Sequence, residues 1–545
     1  MTDAAASSVI DEIVIKNFRR FQDATIQFSA GLNMLVGDNE AGKSTLLEAI
    51  SLALTGRWQG KLLSSELTPH LINSAATAEY VDGVSNGRNP TPPEIVVELF
   101  LAESDDTFAL KGTNNSLGED APGLRVSAVL DPDFTAEYAE YVAEPNQVIS
   151  VPTEYYRVDW YDFAGRVVNA RGVKVAASTI DASRIRLQSG ADYYLQRIIT
   201  ESLDVKQRAE LARGYRTLQE QFVSDPTIAT INATLDASQD RITDKQLTME
   251  IVSSQSNHWE SVIAPHLDRL PFHLSGSGEQ HKLKILLALA RKLEDAHLIL
   301  IEEPENHLSF SALNQLIEKI SAKCRERQVI ISTHSSYVIN KLGLERLMLL
   351  NGDRAARTTD LPEDTQNYFR KLSGYDTLRL VLAKAVILVE GPSDELIIQR
   401  AYLAKHNKRP IEDGIDVINV RGLSAKRFLD LAIPLRRRVA VVTDNDGDYA
   451  ENVDTKFAPY QSHDFISIHR SDNNDLRTLE PHLVASCGLD LVNDVLGRSF
   501  GSPAEAEKFM TTSGNKTDVA LAFHDTTEDL RFPQYIQDAV DGIGQ

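Results

Sequence analysis

The chain has 545 residues and a mass of 60.4 kDa, room for roughly two to four domains, each with a core of its own. Its 56 Lys and Arg stand against 78 Asp and Glu, a net charge of −22, which argues against a protein that coats nucleic acid with its whole surface and leaves open a local basic groove. With 42% hydrophobic and 25% charged residues the composition is globular, and two cysteines, Cys324 and Cys487, exclude a disulfide framework and a multi-cysteine zinc site. No apolar run reaches membrane-spanning length and residues 1–8 lack a basic-then-apolar leader pattern, so a reducing cytoplasm, with no membrane partner, is the expected setting.

In chain order, alternation predicts strands at 12–17 and 24–28, an apolar strand at 32–36 and a helix over 44–54. Residues 55–93, rich in Ser, Gly, Asn and Pro, predict a surface excursion. Strands resume at 95–101, 124–130 and 155–161. From 207 to about 267 the helical spacing and scarcity of turn signals predict a helical insertion. Strands return at 297–301 and 328–332, and a further block carries strands at 385–389 and 439–443. The expected division is therefore an α/β domain in two parts, 1–175 and 266–378, split by an insertion at 176–265, with a second α/β domain over 379–545.

Gly37-Asp38-Asn39-Glu40-Ala41-Gly42-Lys43-Ser44 follows a predicted strand and opens a predicted helix, the setting of a phosphate-binding P-loop. Its N–H groups and the helix N-terminus suit an anion; Lys43 would neutralise the β- and γ-phosphates and Ser44 ligate Mg²⁺, with Asn39, Gly42 and Thr45 beside them. The apolar run 298–301 leads into Glu302-Glu303-Pro304-Glu305, where carboxylates at a buried strand end can bind a cation and orient a water. An acidic helix start is the plainer alternative for that run. Between these segments lies Leu274-Ser275-Gly276-Ser277-Gly278-Glu279-Gln280, and Ile330-Ile331-Ser332-Thr333-His334 ends an apolar strand in a histidine.

In this order the four motifs resemble those of ABC-type ATPases, with Ser277, Gly278 and Gln280 in the signature and His334 as the switch histidine. The resemblance covers about residues 10–60 and 270–340, and it implies ATP and Mg²⁺ held head-to-tail in a dimer, Ser277 capping the nucleotide of the other copy. Glu303 would orient the attacking water. Glu302 departs from the pattern, which has Asp there.

The second constellation is acidic. Strand 385–389 ends in Glu390-Gly391-Pro392-Ser393-Asp394-Glu395, and strand 439–443 ends in Asp444-Asn445-Asp446-Gly447-Asp448. Parallel strands bring their C-terminal ends together, so Glu390, Asp394, Asp444 and Asp446 can converge, and such a cluster repels itself unless divalent cations offset it. A calcium loop or a plain Asp/Gly turn are alternatives for the Asp-rich stretch alone. Strand-Glu-Gly with strand-Asp-x-Asp resembles the Toprim domain of topoisomerases, primases and nucleases; an ABC-type ATPase followed directly by Toprim is similar to the OLD (overcoming lysogenization defect) family of ATP-dependent nucleases.

That resemblance implies an ABC-type P-loop ATPase domain split by a helical dimerisation insertion, followed by a C-terminal Toprim (Rossmann-like) α/β domain. It extends to Thr478-Leu479-Glu480, Asn515-Lys516-Thr517-Asp518 and Phe532-Pro533-Gln534-Tyr535-Ile536. It implies metal ligation by Glu390, Asp394, Asp444, Asp446 and Glu480 with Mg²⁺ or Mn²⁺, Lys516 facing the scissile phosphate, and Glu395 and Asp448 in reserve. Arg421, Lys426, Arg427 and the run Arg436-Arg437-Arg438 are candidate DNA-backbone contacts, or solvated helix ends. The family further implies a homodimer or larger assembly that cuts DNA in defence against phage, alone or beside a partner helicase, as in Gabija, or a reverse transcriptase. The competing expectation is a nucleotide-switched repair clamp similar to SMC-like ATPases, without nuclease activity.

Overall fold

The computed structural model describes residues 8–38, 40–144, 148–169, 172–175, 177–181, 187–188, 191–192, 203–236, 259, 266–290, 297–323, 327–371, 375–420 and 425–544. The chain divides into a smaller unit, Met1–Ala6 with Ala176–Val329, and a larger one, Ser7–Val175 with Ile330–Gln545.

In the larger unit the strand Ile10–Phe18 pairs antiparallel with Phe21–Gln27 on one side and Ile95–Leu101 on the other. Ala121–Leu130 follows, and takes Tyr156–Asp162 and Lys111–Gly112 in the same antiparallel sense. Every residue of Ile95–Leu101 is buried, Glu98 included; its carboxylate survives there because Arg125 Nη1 donates at 2.7 Å and the Ser116 N–H at 2.9–3.0 Å. A second, mainly parallel group holds the wholly buried strand Leu32–Val36, paired in parallel with Leu347–Asn351, which turns back into Arg354–Arg357. Strands buried on both faces need cover from both, and this explains their unbroken apolar runs.

The segment 55–93 is more ordered than its composition implies. Asn73 caps the helix Ser74–Ser85, accepting from the N–H groups of Ala75 and Ala76, and its amide donates to the carbonyls of Arg19 and Arg20 at 2.8 and 3.1 Å.

In the smaller unit Ala177–Asp181 pairs in parallel with Leu298–Glu302. The expected helical insertion thus begins with strands, and a short hairpin, Leu187–Gln188 with Ala191–Asp192, follows before the helices Val205–Val223 and Pro226–Asp236. Residues 237–258 and 260–265, on which much of the expected dimerisation surface falls, lie outside the described residues, as does Cys324.

The C-terminal part of the larger unit is a four-stranded parallel sheet in the order Ile415–Asn419, Ala385–Val389, Arg438–Val442, Ile466–His469. Its core packs the sheet against the helices Pro392–His406, Leu479–Cys487, Lys516–Asp525 and Gln534–Ile543. The two central strands are neighbours, so their C-terminal ends emerge side by side. Among the described residues no helix is long and apolar enough to cross a membrane.

Much of the candidate basic groove is spent on the fold. Arg437 is buried and donates to the carbonyls of Val381 at 2.8 Å and Lys384 at 3.3 Å. Arg427 pairs with Asp364 and donates to Thr365, and Arg436 pairs with Asp464 beneath the Phe465 ring. Arg421 lies outside the described residues. A run of three arginines reads as a solvated patch in one dimension, whereas the strand start turns its middle member inward. Replacing Arg437 with Ala takes the donor from the Val381 and Lys384 carbonyls and lowers the unfolding free energy by about 2 kcal/mol, while Arg438→Ala changes it by less than about 0.5 kcal/mol; urea denaturation of the two variants measures the difference.

Candidate metal centre and nucleotide-binding loops

The strand Leu32–Val36 delivers Gly37 and the loop to the helix Lys43–Thr55. Gly42 sits at φ +96°, and a Cβ there would lie 2.8 Å from the Phe21 ring, so only glycine fits. Lys43 is buried, and its ammonium donates to the carbonyls of Gly37 at 2.9 Å and Asp38 at 2.6 Å, which holds the loop closed around it. Ser44 is exposed at the helix start and Thr45 is buried behind it; Asn39 lies outside the described residues. On the same unit Thr333 N–H bonds the Leu35 carbonyl at 3.1 Å, which leaves His334 half-buried just past the strand end.

In the smaller unit Ser277 is exposed at the N-terminus of the helix Ser277–Ala290, and Gly278 is required because a Cβ would stand 2.2 Å from the His307 carbonyl. Gln280 is buried and its amide donates back to the Ser275 carbonyl at 2.7 Å. Glu302 ends the strand Leu298–Glu302; Glu303 follows in the left-handed region at φ +44°, its carboxylate accepting from Asn306 Nδ2 at 2.6 Å. Non-glycine residues pay for that conformation, and such strain is concentrated at functional turns.

The acidic residues of the parallel sheet do meet. Glu390 ends its strand, and its Oε1 accepts from the Thr443 hydroxyl and from the Asp444 N–H at 3.2 Å, which ties the two strand ends together. Asp394 lies in the first turn of the helix Pro392–His406, where Gly391 N–H donates to its Oδ2 at 3.0 Å. Glu480, in the first turn of Leu479–Cys487, is buried; Thr478 donates to its Oε2 at 2.8 Å and the Lys516 ammonium lies 2.9 Å from its Oε1. Asp446 is exposed at φ +49° and lines, with Glu390 and Lys456, a cavity of about 130 Å³. The two reserve residues are committed elsewhere: Asp448 accepts from the N–H groups of Ala450 and Glu451, and Glu395 from Asn419.

Burial, and after it Glu390 and Glu480, push the Asp394 carboxyl up to about 7, against the hydrogen bond from Gly391. Burial again, then Asp394, Glu390, Glu480 and Asp446, push Asp444 up to about 8. Burial pulls the Lys516 ammonium down, but its hydrogen bond to Glu480 and the carboxylates of Glu480, Asp444 and Asp394 raise it overall. Behind the cluster Tyr535 is buried edge-on to His482, and burial together with the same carboxylates raises its phenol well above the ordinary range. The donor set fits a hard divalent cation such as Mg²⁺ or Mn²⁺: oxygen ligands that repel one another, with Lys516 paired to one of them. Among the described residues no three His, Cys, Asp or Glu side chains already close around one point, so ligation requires side-chain movement.

Sequence reasoning missed the residues that hold the ligands. Thr443 and Thr478 fix Glu390 and Glu480, and the buried Asn445 braces the Asp-x-Asp turn by donating to the carbonyls of Ser471 and Asn473 at 3.2 and 2.8 Å. Their one signal was position, each standing within two residues of an acidic residue at a strand or helix end.

Comparison with known proteins gives matches to two families. Residues 12–328 match the AAA domain family, and residues 381–446 match the family described as overcoming lysogenization defect protein-like, TOPRIM domain. A DNA replication and repair protein RecF of Acetivibrio thermocellus is 48% identical over 48 residues, 9% of this chain and 13% of that protein. A DNA double-strand break repair Rad50 ATPase of Archaeoglobus fulgidus is 42% identical over 59 residues, 11% and 7% of the respective chains. The chain thus matches about an eighth or less of the length of these two relatives. The solved C-terminal region of the Xanthomonas campestris pv. campestris OLD protein is 21% identical, with a TM-score of 0.23, over 30% of this chain and 94% of that one.

The raised carboxyls of Asp394 and Asp444 set a pH dependence. Their folded-state values exceed the unfolded ones, so the stability they contribute is complete below the unfolded carboxylate range and is lost as pH rises through about 7 and 8. Cation binding needs the ionised forms and offsets that loss. Mn²⁺ therefore raises the melting temperature more at pH 8.5 than at pH 6, and Asp444→Asn makes the metal-free protein more stable at pH 8.5, by on the order of 2 kcal/mol; calorimetric scans at the two pH values check both.

Proposed function

We propose, for a chain that belongs to the AAA-domain family of ATPases and joins to that domain an OLD-like Toprim domain, that it is an ATP-hydrolysing nuclease which cuts DNA by metal-assisted hydrolysis. The observation that carries the reading is the partly buried carboxylate cluster at the adjoining strand ends, with Lys516 beside it.

In this reading Lys43 holds the β- and γ-phosphates, Ser44 and Glu302 the nucleotide's Mg²⁺, and Asn39, Gly42 and Thr45 complete the loop. Glu303 orients the attacking water, and His334 contacts the γ-phosphate. Ser277, Gly278 and Gln280 cap the nucleotide of a second copy, a role the exposure of Ser277 suits, and the assembly is a homodimer or higher oligomer.

At the Toprim centre Glu390, Asp394 and Glu480 serve one cation and Asp444 with Asp446 the other. The divalent cations supply a bound water of lowered pKa and a steadied leaving oxygen. Lys516 stabilises charge developing on the phosphate, and Thr443 and Thr478 fix the carboxylates that would otherwise swing to solvent. The substrate is DNA and the biological setting is defence against phage, alone or, in a Gabija-like arrangement, with a partner helicase or a reverse transcriptase. A protein with this machinery operates in the cytoplasm, where ATP is available.

Two variants test the reading. Asp444→Ala lowers Mn²⁺-dependent plasmid cleavage at least about 100-fold, whereas equal cleavage by variant and unaltered protein would leave the nucleotide-switched clamp as the better account. Glu303→Gln lowers phosphate release from ATP by about 100-fold or more while ATP still binds; absence of any release from the unaltered protein would mean that ATP only locks the dimer.

A further inference from the structure

One cleft of the larger unit belongs to neither centre alone. It has a volume of about 580 Å³, and its walls include Asp38 and Glu40 of the P-loop and His334 on one side, and Arg379, Lys384 and Asp416 of the Toprim side on the other. The Toprim domain therefore reaches the mouth of the loop expected to hold the nucleotide's phosphates.

The two cations differ in how they are held. Lys384 is exposed, and among the described residues its ammonium has neither a hydrogen-bond nor an ion-pair partner. Its backbone is fixed on both sides, the N–H to the Gly414 carbonyl at 2.9 Å and the carbonyl to Arg437 Nη1 at 3.3 Å. Its stem lies on Gly414, where a Cβ would come within 2.8 Å of Lys384 Cδ. A cation with a fixed stem and an uncommitted head, facing two carboxylates and a histidine across a cleft, is placed to accept an anion that enters between them.

Arg379 is committed, and to a chain of groups that ends at the metal centre. Its Nε and Nη2 donate to the two oxygens of Asp416 at 2.9 and 2.7 Å, Nη2 donates to the Val417 carbonyl at 2.8 Å, and the same nitrogen stands 4.0 Å from Glu395 Oε1. Glu395 adjoins Asp394 in the first turn of the helix Pro392–His406. An anion in the cleft draws on Arg379, weakens its hold near Glu395, and leaves the surroundings of Asp394 more negative. A more negative surround binds a divalent cation more tightly.

We infer that the terminal phosphate of a bound nucleoside triphosphate sits in this cleft, that Lys384 of the Toprim domain contacts it within the same chain, and that Arg379 is the positioning residue which passes its presence to the metal centre. The inference rests on the nucleotide-binding reading of the P-loop and adds to it a ligand that the Toprim domain supplies. ADP, without that phosphate, leaves Lys384 and Arg379 as they are.

The test measures binding and needs no cleavage. Displacement of a fluorescent ADP gives affinities for ADP and for a non-hydrolysable ATP analogue. Lys384→Gln, at an exposed position, is expected to weaken the analogue about tenfold and ADP less than about twofold; equal weakening of both, or of neither, overturns the contact. Titration of Mn²⁺ against the full chain saturated with either nucleotide is expected to show about fivefold tighter binding with the analogue, a ratio that falls toward one in Arg379→Lys. Equal or weaker Mn²⁺ binding with the analogue overturns the relay. A chain that binds neither nucleotide sinks the P-loop reading and this inference with it, and one that binds both but no Mn²⁺ sinks the metal centre and the relay while the Lys384 arm still decides the contact.

Discussion

Like charges gathered at adjoining strand and helix ends are the constraint on which the C-terminal domain of this protein depends. Glu390 and Asp444 are brought together because parallel neighbours in a sheet must end on the same side, Asp394 and Glu480 join them from the first turns of two helices, and burial beside the other carboxylates then makes Asp394 and Asp444 resist ionisation. Much of the surrounding structure offsets that cost. Gly391 turns so that its N–H meets Asp394, the Thr443 and Thr478 hydroxyls hold Glu390 and Glu480, and Lys516 sets a positive charge against Glu480. A cluster held this firmly at such expense is hard to explain as packing, since an apolar set of similar volume would cost less.

The same device recurs along the chain. Leu32–Val36 ends at the P-loop, Leu298–Glu302 at Glu303, Gln328–Ser332 at His334, Ala385–Val389 at Glu390 and Arg438–Val442 just before Asp444. Each is a five-residue, largely buried strand followed by a polar group. The apolar run anchors the backbone, and the polar group within two residues of its end is thereby held in a fixed position. The P-loop and the carboxylate cluster are thus two uses of one local architecture.

This recurrence also explains how much was legible in sequence. Short unbroken apolar runs ending in Gly-x-x-x-x-Gly-Lys-Ser, Glu-Gly, Asp-x-Asp or Ser-Thr-His mark strand ends with chemistry attached, and the strands at 32–36, 385–389 and 328–332 stand where the pattern places them. What pattern does not carry is direction in three dimensions. Arg437 lies between two exposed arginines yet points into the fold, and Glu395, next to Asp394, turns away to Asn419. The polar segment 55–93 forms a capped helix because its asparagine is spent on backbone groups 53 and 54 residues away, a long-range pairing that no local window contains. Thr443, Thr478 and Asn445 were missed for a related reason: their importance lies in which carboxylate or carbonyl they meet.

The central claim is that the carboxylate cluster is a divalent metal centre, and anomalous diffraction at the manganese edge from crystals soaked in Mn²⁺ tests it most directly. The account predicts anomalous peaks within ligating distance of Asp394, Asp444 and Glu390, lost in Asp444→Asn crystals grown and soaked the same way. Full occupancy of manganese elsewhere on the chain, with none at these three carboxylates, would contradict it.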